Sequence, residues 1–381
     1  MKTLAFVLGL QIFTVYASDF SIQPYILQTQ DQRVILRYQL ANSKNIIAEQ
    51  TEGFKSDVLF EGEVQANKLE SISSKVMECG ESIKLEIKDK ETSHLLFSKN
   101  LEGPACPDQK VLRPFIFGFI SDTQEFDVRH QAIAKVIEQK LNENQTQFIL
   151  NTGDIVQEGH EEKEWIQFLN TGNIYMGKVP LITAIGNHDF RGTKGKNVIP
   201  KLFKKYLRWN DDDQGDMVFN FEQFRLMVFN SNYFKLTRKA EKKQLEWMIE
   251  QFEEARRLKV PMIVSMHYPI FSSSLNKFTS GSVIKMRRRL EPLFREYGIK
   301  LVLSGHTHMY ERSYKNGVHY VVAGPAGGRI NSPSFKNKYK KFINPDILTY
   351  TEFKIHDGIL QMKTWDEAFN LVDSIMFKLN E

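Results

Sequence analysis

The segment FIFGFISDTQ, residues 115–124, joins an apolar run directly to a group of polar side chains. Its apolar part has the length and composition of a buried strand, and an apolar helical spacing follows it. The same join of apolar and polar residues occurs at four later places: ILNTGD (149–154), AIGNHD (184–189), VSMH (264–267) and LVLSGHTH (301–308). Buried strands that alternate with helices predict a layered α/β domain.

The sequence before Pro114 has a different pattern. Short alternating runs such as 34–38 and 83–87 are separated by polar turns, which is typical of a small all-β sandwich. We therefore predict an N-terminal β-sandwich domain at 18–108 and a catalytic domain at 109–381.

Two later alternating runs predict hairpins. The run from Met217 to Phe221 is one strand of such a pair. The run from Thr351 to Lys378 alternates on both sides of an Asp357-Gly358 turn. Because Asp-Gly is a strong hairpin signal, this stretch predicts a C-terminal β-hairpin that closes the catalytic domain.

The N-terminus has the composition of a secretory signal. Lys2 precedes an apolar run from Leu4 to Tyr16, and Ala17 follows as a small residue at the cleavage point. The run is too short to span a bilayer. We predict a signal peptide at 1–17 and a secreted or periplasmic protein; a first core strand or helix is the alternative.

The two cysteines, Cys79 and Cys106, both precede the polar loops. In an oxidising compartment we expect them to form a disulfide. Two separate buried thiols are the alternative, because the sequence does not show whether the two Cα atoms are close enough to bridge.

The overall composition is that of a soluble globular protein. Of 381 residues, 41% are hydrophobic and 25% are charged, with a net charge of +5. Such a mildly basic surface helps to attract a phosphate ester. There is no dense basic patch interleaved with aromatic residues, so the sequence predicts no nucleic-acid-binding module, and it predicts no transmembrane segment after the signal.

The polar residues after the predicted strands have the chemistry of metal ligands. Strand ends meet at one edge of an α/β sheet, so we expect these five loops to share a crevice. Carboxylates, amides and imidazoles without thiolates favour Mn, Fe, Zn or Co over a structural zinc site. Asp154 can bridge two ions, since its carboxylate has two oxygens. One ion would be held by Asp122, Gln124 and His308, and the other by Asn187, His267 and His306.

Glycines precede three of these ligands directly. Gly153, Gly186 and Gly305 predict tight turns that a Cβ atom would obstruct. Taken singly, a strand-end Asp is often a helix cap and a lone His is usually structural. The joint pattern favours a metal site.

The order of these motifs resembles the calcineurin-like metallophosphoesterases from Pro114 to about Asp366. The stretch GHTHMYERS, residues 305–313, and the preceding β-sandwich are similar to the purple acid phosphatase-type branch. The resemblance implies a metal-dependent hydrolase with a four-layer α/β/β/α catalytic domain. It also implies a dinuclear centre of two divalent or trivalent ions, of which Fe, Mn and Zn are the candidates.

Two positions depart from the resemblance. Gln157 stands where the branch carries the Tyr whose phenolate gives the purple colour, so this protein should not be purple. Gln124 stands where most of the superfamily has a His, and an amide oxygen is a harder and weaker donor than imidazole. A similar Asp-x-Gln opening occurs in manganese-dependent ADP-ribose/CDP-alcohol pyrophosphatases, which leaves a nucleotide-type substrate open.

The resemblance also implies catalytic roles. His188 resembles the general acid of the family, with Asp189 orienting and charging its imidazole; electrostatic clamping of the phosphate is the alternative role for His188. We expect hydrolysis of phosphate mono- or diesters by metal-bound hydroxide, on a phosphorylated small molecule or phosphoprotein. The alternatives are the pyrophosphatase activity and a degenerate, non-catalytic phosphate-binding module.

Overall fold

A computed structural model of the chain describes residues 19–31, 33–77, 81–102, 113–125, 127–193, 199–208, 215–232, 238–274 and 278–380, with the backbone alone at 127, 238 and 240. The predicted signal peptide, Cys79 and Cys106 lie outside these ranges. Within them, no helix is both long and apolar enough for a bilayer crossing.

The strands and helices alternate through the second part of the chain. The strands are β1 (Phe20–Gln28), β2 (Val34–Leu40), β3 (Lys44–Glu52), β4 (Lys55–Val64), β5 (Leu69–Ser73), β6 (Ser82–Asp89), β7 (Leu95–Glu102), β8 (Phe115–Ile120), β9 (Thr146–Asn151), β10 (Leu181–Thr183), β11 (Met217–Asn220), β12 (Arg225–Phe229), β13 (Met262–Met266), β14 (Leu301–Ser304), β15 (Tyr310–Lys315), β16 (Val318–Val322), β17 (Lys340–Asn344), β18 (Thr349–His356), β19 (Ile359–Asp366) and β20 (Leu371–Lys378). The helices are α1 (Asp127–Glu143), α2 (Glu162–Met176), α3 (Lys201–Leu207), α4 (Arg238–Leu258) and α5 (Gly281–Glu296).

These strands form three sheets. The nine-stranded sheet has the order β20-β19-β18-β8-β9-β10-β1-β2-β5, and the seven-stranded sheet has the order β11-β12-β13-β14-β16-β15-β17. The four-stranded sheet has the order β4-β3-β6-β7. Strands β8, β9 and β10 are parallel, as are β12, β13, β14 and β16, so each large sheet has a parallel centre.

The two large sheets pack face to face. Their shared core contains Phe117 and Phe353 from one sheet and Leu226 and Leu303 from the other, all fully buried. Helices α1, α2 and α3 cover the outer face of the nine-stranded sheet, and α4 and α5 cover that of the seven-stranded sheet. The α/β fold class and the predicted four layers are confirmed.

The predicted β-sandwich forms, but one of its sheets belongs to the catalytic part. Strands β1, β2 and β5 pack on the four-stranded sheet around Ile26, Leu36 and Leu85. Leu27 of β1 also pairs with Leu181 of β10, so the sandwich extends the nine-stranded sheet. The boundary at residue 108 stays a prediction.

Both predicted hairpins are present. Strands β11 and β12 pair antiparallel, and so do β18 and β19. The turn residues Asp357 and Gly358 have φ values of 50° and 70°, the left-handed geometry that such a turn requires. Strand β20 adds to β19, so the end of the chain is a three-stranded meander.

Candidate metal centre

The five polar loops leave the carboxyl ends of parallel strands in the two facing sheets. Strands β8, β9 and β10 end at Ile120, Asn151 and Thr183, and the strands of the other sheet end at Met266 and Ser304. Both sheets therefore deliver their loops to one edge. The structure brings all seven predicted ligands together there; that they bind metal stays a prediction.

The first ligand group is formed by Asp122, Gln124 and His308 with Asp154. Carboxylate and imidazole atoms of Asp122, Asp154 and His308 lie within 4.8 Å of one another. His308 Nε2 is 3.4 Å from Asp122 Oδ1 and 3.1 Å from Gln124 Nε2. These contacts place the four side chains around one point.

The second ligand group is formed by Asn187, His267 and His306, again with Asp154. Ligand atoms of Asp154, His267 and His306 lie within 4.8 Å of one another. His267 Nε2 is 3.2 Å from each of Asp154 Oδ2, Asn187 Oδ1 and His306 Nδ1. Asp154 thus belongs to both groups, as predicted for a bridging carboxylate.

Backbone carbonyls fix the imidazoles of both groups. His267 Nδ1 donates to the Thr152 carbonyl at 3.0 Å, and His308 Nδ1 donates to the Arg329 carbonyl at 2.6 Å. Each ring then carries a proton on Nδ1 and turns Nε2 towards the carboxylates. This arrangement is typical of metal-bound histidines, whose other nitrogen is held by a hydrogen bond.

The donor set fits a pair of cations. Three potential acceptors lie 3.2 Å from His267 Nε2, so a metal ion placed among them would have four donor atoms within reach. Gln124 is 2% exposed, and its amide oxygen has no hydrogen-bond partner within the described residues. A buried oxygen without a partner costs free energy that a metal ion would recover.

Three of the predicted ligands have a strained backbone. Asp122, Asp154 and His306 have φ values of 53°, 53° and 66°, in the left-handed region that non-glycine residues seldom occupy. Strain of this kind persists where the surrounding structure holds it, commonly at functional sites.

The three predicted glycines border this strained backbone. A Cβ atom on Gly153 or Gly186 would collide with backbone atoms of the neighbouring loop, and one on Gly305 would collide with Ser121 and Asp122. The predicted need for glycine at these positions is confirmed.

Asp189 does not orient His188, so the predicted role is wrong. Its carboxylate accepts hydrogen bonds from four backbone N–H groups instead, those of Asp154 (3.1 Å), Ile155 (2.9 Å), Val156 (3.3 Å) and Gly186 (2.7 Å). These bonds tie the loop of Asp154 to the loop of Asn187. Asp189 is therefore a positioning residue.

His188 is held by other partners. Its Nδ1 donates to the Gln157 carbonyl at 3.0 Å, and its Nε2 accepts from Arg191 Nη2 at 3.2 Å. Arg191 Nη1 in turn donates to Glu158 at 2.6 Å. The ring lies beside the Asp154 carboxylate, with Nε2 4.0 Å from Asp154 Oδ2.

Charge at the centre is costly without a cation. Burial and the nearby Asp154 carboxylate raise the pKa of Asp189 to about 7, although the N–H donors oppose this. Burial lowers the pKa of His267, but the Asp154 charge outweighs it and the pKa is raised above its usual value. The site thus has an excess of negative charge that bound cations would neutralise.

The sequence did not reveal the backbone partners that hold His188 and the predicted histidine ligands. The carbonyls of Thr152, Gln157 and Arg329 carry no side-chain signature. One signal was present in the Gly327-Gly328 pair, since a Cβ atom on Gly328 would collide with the His308 ring. Such a pair marks a close backbone approach.

The profile of the family described as calcineurin-like phosphoesterase matches residues 115–310, just over half of the chain. The chain belongs to the calcineurin-like phosphoesterase family. Membership confirms the predicted family.

Individual relatives are purple acid phosphatases, in agreement with the predicted resemblance. Purple acid phosphatase 1 of Ipomoea batatas is 24% identical over 52% of this chain and 43% of its own length. A purple acid phosphatase of Glycine max is 26% identical over 58% of this chain and 49% of its own length. The chain spans about half the length of these curated relatives.

A solved structure shares the fold. The purple acid phosphatase isolated from yellow lupin (Lupinus luteus) seeds superposes with a TM-score of 0.73 at 15% identity, over 93% of this chain and 74% of that one. The likeness includes the described N-terminal strands as well as the catalytic layers.

Proposed function

We propose that this chain hydrolyses phosphate mono- or diesters at a centre of two metal ions. The observation that carries the proposal is the pair of ligand groups that share Asp154. The ions would be held by Asp122, Gln124 and His308 on one side and by Asn187, His267 and His306 on the other. Two bound cations supply a nucleophile at neutral pH and neutralise the phosphate oxygens.

The protein's own residues would orient the ester and handle the proton of the leaving group. His188 lies beside the bridging carboxylate and presents Nε2 to the centre. Arg191 donates to that nitrogen, so Arg191 must turn away before His188 Nε2 can carry a proton to the leaving oxygen. The guanidinium released in this way is available to the phosphate.

The role of His188 is tested by the leaving group. An alkyl phosphate needs a proton on its departing oxygen, whereas p-nitrophenolate leaves without one. If His188 is the general acid, His188→Ala lowers kcat/KM by about 10²- to 10⁴-fold for the alkyl ester and much less for p-nitrophenyl phosphate. An equal loss with both esters would instead support an electrostatic clamp.

Gln124 favours a second candidate activity. The amide oxygen in place of an imidazole matches the opening of the manganese-dependent pyrophosphatases and suits a hard cation. A panel of p-nitrophenyl phosphate, bis-p-nitrophenyl phosphate and ADP-ribose, each with Mn, Fe or Zn, separates the activities. If the protein hydrolyses none of these esters, a phosphate-binding module remains as the candidate function.

The proposal also covers the cellular location of the protein and the state of its two cysteines. We infer that residues 1–17 direct export and that Cys79 pairs with Cys106 in the oxidising compartment. Mass spectrometry of the exported protein with and without reductant tests both points. A mature chain that retains residues 1–17, or two free thiols, would contradict them.

A further inference from the structure

A cavity of about 360 Å³ opens beside the first ligand group. Ile155, Val156 and Phe168 contribute buried apolar side chains to its wall. The polar part of the wall includes Gln124, Glu125, Gln157, Glu164, Lys163 and Arg329. Its volume is within the range of small-molecule sites, which combine apolar walls with a few placed polar groups.

Gln157 gives this cavity an unsatisfied acceptor. Its peptide N–H donates to Glu164 at 2.9 Å, and its carbonyl holds His188 and Arg191. Its side-chain oxygen is buried and has no hydrogen-bond partner within the described residues. A buried amide oxygen left in this state is costly, so the position suits a ligand that brings a hydrogen-bond donor.

The charges of the wall point the same way. Arg329 forms an ion pair with Glu125 at 3.2 Å, so these two charged side chains of the wall neutralise each other. The Glu164 carboxylate accepts from the N–H groups of both Gln157 and Glu158 at 2.9 Å. Lys163 and the unpaired Gln157 oxygen remain, a donor and an acceptor, and a hydroxyl group can form a hydrogen bond with either.

The cavity also lies where a leaving group would depart. Gln124 connects it to the first ligand group, and the backbone carbonyl of Gln157 accepts from His188 Nδ1, on the ring whose Nε2 is proposed to meet the leaving oxygen. A phosphate held at the centre would place its ester oxygen near His188. The alcohol attached to that oxygen would then enter the cavity.

We propose that this cavity binds the alcohol part of the substrate, and that this alcohol is a small polyhydroxylated molecule of the sugar type. The Gln157 side chain accepts a hydrogen bond from one of its hydroxyl groups, and the apolar wall covers its C–H face. This inference rests on the proposed phosphoesterase function and names its substrate class.

The test compares leaving groups with and without hydroxyl donors. For the metal-loaded full chain, kcat/KM for glucose 6-phosphate is divided by kcat/KM for p-nitrophenyl phosphate. Gln157→Leu should lower this ratio about tenfold, the effect of one lost hydrogen bond. Gln157→Glu keeps an acceptor and should keep the ratio, and Gln139→Leu, an exposed change on α1, is the matched control.

The outcomes separate the inference from the function on which it rests. An unchanged ratio in Gln157→Leu, or a phosphoserine peptide preferred to glucose 6-phosphate, overturns the inference while ester hydrolysis stands. If no ester is hydrolysed, the proposed function fails, and calorimetric binding of glucose 6-phosphate still tests the cavity. Binding about tenfold weaker in Gln157→Leu supports it, and equal binding overturns it.

Discussion

The two ligand groups share Asp154 but offer different donors. The first adds a second carboxylate and one imidazole, whereas the second adds two imidazoles and no further carboxylate. More oxygen and more negative charge favour a harder cation such as Mn or Fe, and more nitrogen favours Zn. The comparison leads us to expect that one shared carboxylate joins two sites with different metal preferences.

The groups are also supported differently. In the second group the Asp189 carboxylate gathers four backbone N–H groups around the loops of Asp154 and Asn187. Behind the first group, buried His130 donates to the Ala326 carbonyl at 2.9 Å, and the Ala326 N–H donates to the carbonyl of Ser121. A carboxylate braces one side and a neutral imidazole the other.

Removing the shared charge should have the largest effect, because it weakens both sites. In the unchanged protein the Asp154 carboxylate accepts a hydrogen bond from the backbone N–H of His188 at 2.7 Å. Asp154→Asn keeps an oxygen for this bond but loses the negative charge proposed to lie between the ions. We expect kcat/KM to fall by more than about 10³-fold, which corresponds to several kcal/mol of lost stabilisation. Asp346→Asn, an exposed change, should leave activity intact. If kcat/KM of Asp154→Asn falls only a few fold, the proposal that both ligand groups depend on Asp154 is contradicted.

The brace of the first group should make the metal-free protein sensitive to acid. Burial lowers the pKa of His130 to about 4, although its bond to the Ala326 carbonyl opposes this. The unfolded chain, with a His pKa near about 6.5, therefore binds the proton first, and stability present above that pH is lost as pH falls towards 4.

We expect His130 to account for up to about 3 kcal/mol of this loss in the free energy of unfolding. Urea unfolding with a chelator at pH 7.5 and pH 4.5 measures it. His130→Gln should reduce the difference between the two pH values, and exposed His94→Gln should not. An unchanged pH dependence in His130→Gln would contradict the account. Burial also lowers the pKa of His319 to about 4, so part of the loss should remain in the variant.

The smallest expected effect concerns the metal preference of the first ligand group. Gln124→His replaces the amide oxygen with an imidazole and should raise the zinc affinity of the first site by about tenfold at the expense of manganese. Competition titrations with the two metals measure this. A zinc preference already present in the unchanged protein at the first site would contradict the assigned difference.

The strands, the edge where they meet and the tight turns could be predicted from the sequence, because the local residue patterns agree with the overall fold. Apolar runs that end in Asp122, Asp154 or His267 predicted both the strands and the edge where they meet. Glycines before ligands marked the tight turns. The shared sheet was missed because the pairing of Leu27 with Leu181 joins distant segments and leaves no local pattern.

The role of Asp189 was missed for a related reason. Its neighbour in the sequence, His188, turns Nε2 towards Asp154, while the Asp189 carboxylate accepts mostly from N–H groups of the Asp154 loop. Adjacency in the chain does not determine which atoms meet. The carbonyl partners of the histidines were equally invisible, since any residue can supply a carbonyl.

Anomalous X-ray diffraction at the manganese and zinc edges, on crystals of protein purified without chelators, tests the dinuclear centre most directly. The account predicts two peaks roughly 3.5–4 Å apart on either side of the Asp154 carboxylate, one beside His308 and one beside His267. A single peak, or peaks that leave Asp154 uncoordinated, would contradict it.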